Sequence, residues 1–304
     1  MNKIENSEIM NIVFQVAKTQ NLIYRDFAPI CHYTKGIGLN GILHSKYLRA
    51  NHVSNLNDLS EIIRAYQILI DILKEVKTKS NPEIIENLIE DLQSRIDSKI
   101  YPEIYIVSFS KNIDDLFLWR SYTSFNDAYA LIFTKAFIAE YGASVGAELL
   151  HCIYDKSKQI NILKQVIDLF TSNIMELREF DIKNIKDAFF KLIHLFVPFI
   201  KNPQFKAENE VRLVLRNPIN LDSENRIRIG LSNNNFYKYV NLPIVRNQAD
   251  GEYEHAVEEI IIGPNSRTLD ENRVFKKNMK MLLDQNIGSL LKDIRDTKFN
   301  TLKF

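Results

Sequence analysis

The chain reads as an α+β fold, a mixed and mostly antiparallel sheet core carrying a helical insertion. Three observations predict it. Strand-like runs follow one another without regular β-α-β alternation, and helical patterns fall in blocks. The longest such block, at about 155–205, separates two strand-rich stretches and reads as the insertion. A Walker loop, one signature of doubly wound nucleotide folds, is not in the sequence, nor are H-E-x-x-H or an internal repeat, and Gly36-x-Gly38 is read as turn punctuation rather than a phosphate loop. With 304 residues and no clear interdomain linker, residues 1–304 are expected to form a single α+β domain.

The elements follow in order. Ile9, Ile12, Val13, Val16 and Ala17 recur at helical spacing and predict an N-terminal helix over 7–20. Ile30 to Thr34 reads as a strand end, 36–43 as a glycine-punctuated turn into a short helix, and 47–52 as extended. Leu59, Ile62, Ile63, Tyr66, Leu69, Ile70 and Ile72 form one apolar stripe and predict a helix over 57–77. Its start, Asn57-Asp58-x-x-Glu61, has the pattern of a capping box. Asn81-Pro82-Glu83 opens another helix, with a cap, a proline in the first turn and an acid at the positive end of the dipole. Ile104-Tyr105-Ile106-Val107 predicts a strand over 103–110. A short helix over 114–122 and strands over 129–134 and 147–154 come next, then helices over 160–177 and 182–199. Strand patterns return at 210–216, 226–230, 237–242 and 258–262, and Gly263-Pro264-Asn265-Ser266 turns into a last helix over 269–284.

Composition narrows the function classes. Lys and Arg number 39 against 38 Asp and Glu, so net charge does not imply a chain-wide basic face. Two cysteines, Cys31 and Cys152, argue against a disulfide scaffold or a Cys-rich zinc site and fit a reducing cytosol. The first residues lack the apolar core of a signal peptide, and the apolar stretch at 189–200 contains Lys191, His194 and Pro198, too short and polar for a bilayer. A cytoplasmic protein without membrane contact is expected.

Three segments pair a polar side chain with an apolar neighbour at the edge of a strand-like run: Cys31-His32-Tyr33-Thr34, Val107-Ser108-Phe109-Ser110 and Ala207-Glu208-Asn209-Glu210-Val211-Arg212. A histidine, a serine pair and a Glu-x-Glu step in that order are groups from which a nucleotide cleft can be built. Each also has a plainer reading: His32 as a satisfied core histidine, the serines as strand-end hydroxyls, the glutamates as a solvated edge with Lys206 and Arg212. Trp119, the single tryptophan, reads as a core anchor before it reads as a stacking platform. Asp114 and Asp115 have no third ligand nearby in sequence, and no metal is expected.

The run His32-Tyr33-Thr34, Gly38 to Leu43, Leu48-Arg49-Ala50 and Asn57-Asp58-x-x-Glu61 resembles the bacterial family catalogued as domain of unknown function 2971. The likeness continues through Ser108-Phe109-Ser110, Asp115-x-x-x-Trp119-Arg120-x-Tyr122, Phe205 to Arg212, and Ile260-Ile261-Ile262-Gly263-Pro264. More distantly, His32, Ser108/Ser110 and Glu208/Glu210 follow the motif order of ADP-ribosyltransferases, and the His-Tyr-Thr start is similar to their DNA-modifying toxin branch. Phe109 stands where that pattern often has a hydroxyl, and the long stretch from Ser110 to Ala207 requires the insertion.

This second resemblance implies a split-sheet fold and an enzyme that uses NAD to modify a nucleic acid or protein acceptor, as a toxin or phage-defence effector. It implies Glu210, Glu208 and His32 as catalytic residues. Around the nucleotide it implies His32, Tyr33, Thr34, Ser108, Ser110, Trp119, Arg120, Tyr122 and Arg212, with the arginines on the diphosphate and the aromatics stacking. The alternative is a non-catalytic nucleotide-sensing module whose 155–205 helices bind a partner protein through an exposed 189–199 face.

Overall fold

A computed structural model describes residues 28–56, 58, 60–77, 82–144, 146–174, 182–216, 227–232, 235–247, 253–286 and 293–299. The helix expected over 7–20 lies outside them. In chain order the elements are β1 (Ile30–Thr34), α1 (Gly36–Ser45), β2 (Tyr47–His52), α2 (Ser60–Val76), α3 (Pro82–Asp97), β3 (Ile104–Ser110), α4 (Leu116–Tyr122), β4 (Tyr129–Phe133), α5 (Lys135–Ser144), β5 (Glu148–His151), α6 (Lys156–Ile174) and α7 (Ile182–Ile193). There follow β6 (Glu210–Arg216), β7 (Arg228–Ser232), β8 (Asn235–Pro243), β9 (Val245–Asn247), β10 (Tyr253–His255), β11 (Val257–Ile262), α8 (Leu269–Asn286) and β12 (Asp293–Asp296). The class is α+β, with a mostly antiparallel mixed sheet.

The described residues divide into two compact units: 53–104 with 150–206, and 28–52 with 105–149 and 207–299. The first is helical. The stripe expected on α2 is buried through Ile62, Tyr66, Leu69, Ile70 and Ile72. Asp58 accepts a hydrogen bond from the Ser60 amide (2.9 Å) just ahead of the helix. Glu61 is buried, with its carboxylate 3.8 Å from the Lys201 ammonium in the same unit. Helix α7 ends at Ile193, and Pro198 sits in a 3-10 turn (Val197–Phe199), since proline has no N–H to continue the ladder. Phe189, Phe190, Phe196 and Phe199 are buried. The exposed partner face expected along 189–199 is therefore interior. No helix among the described residues is long and apolar enough to cross a membrane.

The second unit is built on the sheet, whose main path runs β12-β11-β4-β1-β3-β2-β8-β7. Along this path neighbours are antiparallel except β11 with β12, which is parallel. Strand β4 is buried on both faces and holds β1 along its whole length, from Ile30↔Phe133 to Thr34↔Tyr129. Alternation then places Cys31, Tyr33, Ala130 and Ile132 on one face, where they pack with Leu118 and Trp119. Gly263 lies against the indole, and a Cβ there would come within 2.9 Å of the ring and 2.5 Å of Ala128.

The sheet forks at β3. Strand β2 takes its beginning (Asn51↔Ile106, His52↔Tyr105), β1 meets it at Cys31↔Ser110, and β6 also pairs with it. This fork positions the site.

Candidate functional site

A cavity of about 80 Å³ opens where β1 and β3 part, lined by Cys31, His32, Tyr33, Ser108, Phe109, Ser110, Leu118, Tyr122, Glu208 and Glu210. All of them belong to the sheet unit.

The β1 wall is set by alternation. His32 points opposite to Cys31 and Tyr33, with its ring edge-on to Phe109. Its Nδ1 lies 3.0 Å from the Ser108 carbonyl, close to the point where the two main chains part. A carbonyl only accepts, so Nδ1 carries the hydrogen and Nε2 of the neutral ring keeps its lone pair. Burial pushes the His32 pKa below its ordinary value and outweighs the carbonyl bond. His32 is thus neutral near pH 7. Ser108 Oγ and His32 Nε2 make no hydrogen bond among the described residues, which leaves two polar groups available on this wall.

The neighbouring β1 side chains are structural. Cys31 donates to the Ser110 and Asn112 carbonyls, and burial pushes its thiol up to about 12. Tyr33 donates to the Asn112 carbonyl (2.8 Å), accepts from the Asp115 amide (2.9 Å) and meets the Trp119 ring edge-on at 4.7 Å. Thr34 ends β1 against Gly38, where a Cβ would lie 2.1 Å from its Oγ1, and is not part of the cavity wall.

The opposite wall holds the carboxylates. Glu208 ends a 3-10 turn (Pro203–Glu208), and β6 begins only at Glu210. Between them Asn209 has φ +45°, in the left-handed region that Asn tolerates best after Gly. The two glutamates are therefore not alternate residues of one extended strand. The left-handed step brings both to the cavity, each about 5% exposed or little more, so neither forms a solvated edge. Glu208 Oε1 accepts from Tyr122 Oη at 2.6 Å, and the Glu208 carbonyl accepts from Ser110 Oγ at 2.6 Å. Burial, then the Glu208 contact, push the Tyr122 phenol well above its ordinary value, so it stays a donor.

Glu210 is gripped by Arg212 two residues on along the same strand face, through Nε–Oε1 at 2.7 Å and Nη2–Oε2 at 3.1 Å. Arg212, assigned by resemblance to a diphosphate, is 2% exposed. In this structure its guanidinium orients Glu210.

Sequence reasoning missed the clamp behind this wall. Asn112 Nδ2 donates to the Ala207 carbonyl, Asn209 Nδ2 donates to Asn112 Oδ1 (both 2.9 Å), and the Lys111 amide donates to the Asn209 carbonyl. The only signal was an asparagine inside Ala-Glu-Asn-Glu, a residue type suited to a left-handed step.

The segment after β3 is occupied by structure. Asp115 caps α4 through the Phe117 and Leu118 amides. Asp114 is buried and accepts from Thr297 Oγ1, the Lys298 amide, Trp119 Nε1 and Arg295. Burial alone would raise its pKa, but those bonds outweigh it and hold the carboxyl below its ordinary value. Among the described residues no cluster of three His, Cys, Asp or Glu could hold a metal ion. Trp119 spends its N–H on Asp114 and its ring on Tyr33. With Arg120 it borders a separate shallow hollow of about 390 Å³ beside Phe125 and Pro264, and neither residue lines the His32 cavity. Of the eleven candidates, the fold brings seven to the cavity: His32, Tyr33, Ser108, Ser110, Tyr122, Glu208 and Glu210.

Residues 118–213 match the family described as Protein of unknown function (DUF2971). The matched stretch starts inside α4, takes in Tyr122, Glu208, Glu210 and Arg212, and leaves out His32 and Ser108. It supports the family expected from the sequence and names no activity. No curated protein and no solved structure matches the chain. The likeness to ADP-ribosyltransferases rests on the residues alone.

Proposed function

We propose that the chain is an NAD-consuming enzyme of ADP-ribosyltransferase type, with the forked-sheet cavity as the place where the nicotinamide–ribose bond is cleaved. One observation carries the reading: His32, Ser108, Glu208 and Glu210, from three distant stretches of sequence, line one cavity in the chain order of that chemistry.

Cleavage breaks the bond from ribose C1′ to the pyridinium nitrogen. The electron pair leaves with neutral nicotinamide, and positive charge develops on the ribosyl ring. Glu210, its carboxylate fixed by Arg212, offsets that charge. Neutral His32 accepts a hydrogen bond from a ribose hydroxyl at Nε2, and Ser108 Oγ supports the same wall. Glu208 takes the proton of the attacking oxygen or nitrogen as it bonds to C1′, with Tyr122 holding the carboxylate in place. With water as acceptor the same steps give hydrolysis. Size limits the pose: about 80 Å³ is small beside ligand pockets, which run to about 300–1,000 Å³. Only the reacting end of a dinucleotide can lie here, and the walls must give to admit it.

The test is nicotinamide release from NAD by the purified chain, alone and with cell extract as the source of acceptor. Release that Glu210→Gln abolishes, with the circular dichroism of the folded chain retained, supports the reading. Binding of NAD without turnover selects the non-catalytic module instead. Neither binding nor release with any extract overturns both.

A further inference from the structure

The far end of the sheet carries a second chemically distinct surface. Strands β2, β8 and β7 close the sheet path at that end. Their registers set Arg228↔Tyr239 and Gly230↔Tyr237 across one ladder, and Asn51↔Tyr239 across the next. Residues directly opposite share a face, so Arg228, Tyr237, Tyr239 and Asn51 lie together, with Arg49 two residues before Asn51. None of the five is buried, and Arg49 and Arg228 are exposed.

The arrangement on this face is ordered. The Tyr237 and Tyr239 rings are 5.6 Å apart and tilted by 36°. Arg49 donates from Nη1 to Tyr237 Oη at 2.8 Å, and its guanidinium stands 4.8 Å from the Tyr239 ring centre. Gly230 makes room for the first ring, because a Cβ there would come within 2.4 Å of it. Arg228 makes no ion pair among the described residues. Charge is segregated too. The three strands read YLRANH, RIGLS and NFYKYVNLP and carry no carboxylate, with Arg49 and Arg228 on the tyrosine face and Lys238 on the other, in a chain whose acids and bases otherwise balance.

We propose that this face binds single-stranded nucleic acid, with unpaired bases stacking on Tyr237 and Tyr239 while Arg49 and Arg228 neutralise phosphates. Sheet-borne aromatic rings between cations are how unpaired bases are commonly held, because every base offers a flat π-face and a duplex hides it. The absence of carboxylates from all three strands favours a polyanion over an acidic-and-basic protein surface. The opposite face of the same hairpin differs: Ile229, Leu231 and Phe236 are 71%, 64% and 77% exposed, and a partner protein would contact those. The inference stands apart from the NAD reading. Where both hold, it names the acceptor class.

The experiment is fluorescence anisotropy of the full chain with labelled oligomers of about 12 nucleotides, within the range of single-strand site sizes. DNA, RNA and the matching duplex are compared at low salt, with thermal melts to show that each variant is folded. Single strands are expected to bind more tightly than duplex. Tyr237→Leu and Tyr239→Leu, which keep an apolar cover over the strand but remove the ring, should each weaken binding roughly fivefold or more, and Tyr239→Phe should retain it. Arg228→Gln should lower the slope of affinity against salt by about 0.7, the loss of one phosphate contact. No saturable binding, equal binding by the two leucine variants and the parent, or weakening only by Phe236→Ser overturns the proposal. Nicotinamide release plays no part in the readout, so the two readings fail separately.

Discussion

The buried pair of Glu210 and Arg212 allows the sharpest test of the site, because its energetics follow from its geometry. The guanidinium is 2% exposed and the carboxylate 5%, with two hydrogen bonds of 2.7 and 3.1 Å between them. Solvent screening is therefore weak. Removing one partner takes from a buried charge its two-bonded counter-charge, at up to about 3–5 kcal/mol, whereas replacing both by apolar residues of similar volume is often close to neutral. Arg212→Met and Glu210→Leu should each destabilise the sheet unit by about that amount. With a urea slope near 2 kcal/mol per M, this is a midpoint shift of roughly 2 M. The double variant should be more stable than either single one. Trp119 is the only tryptophan and sits in the core of the same unit, so its fluorescence in urea reports the right transition. If the two single effects simply add in the double variant, the pair is not coupled and the account of Glu210 orientation fails.

Four further outcomes are expected. Tyr122→Phe removes the 2.6 Å bond to Glu208 and should cost about 1.5 kcal/mol in the same urea assay, with a larger fractional loss of any nicotinamide release than of NAD binding. His32 has a folded pKa below its unfolded value of 6.5, so the unfolded chain binds the extra proton first. Its contribution to stability is complete above pH 6.5 and is lost as pH falls below it, and His32→Asn should flatten that part of the pH–stability profile. Asp114→Asn should cost about 2–3 kcal/mol at neutral pH by turning an amide donor toward other donors, and should shift Trp119 emission. Because the Asp114 carboxyl is held below 3.8, its contribution to stability is present above that pH and disappears below it. Asp115→Ala should cost about 1 kcal/mol as the loss of a helix cap, with no change in metal dependence of any activity.

The legibility of the chain followed the range of the forces involved. Helix α2 and the strands β3, β6 and β11 were readable because their apolar periodicity is a local consequence of burial on one face or two. Strand β12, with the sequence DIRD, was not. It joins the sheet by parallel pairing with β11, and its charged side chains are matched by Glu259 for Arg295 at 2.6 Å and by Lys276 of α8 for Asp296 at 2.8 Å, so no alternating apolar pattern marks it. The β9–β10 hairpin has three residues a side, too few for a periodic signal.

The site shows the same division. Sequence alone selected the fold class, the three polar segments and the residue types on them, since alternation and end signals act over a few neighbours. Tertiary structure decided which of those residues meet. The fork at β3 brings His32 beside Ser108, the left-handed Asn209 turns Glu208 and Glu210 to one cavity, and burial commits Arg212 to Glu210 and Trp119 to Asp114. These are contacts between residues far apart in the chain or steps of a single dihedral, and neither leaves a period in the sequence.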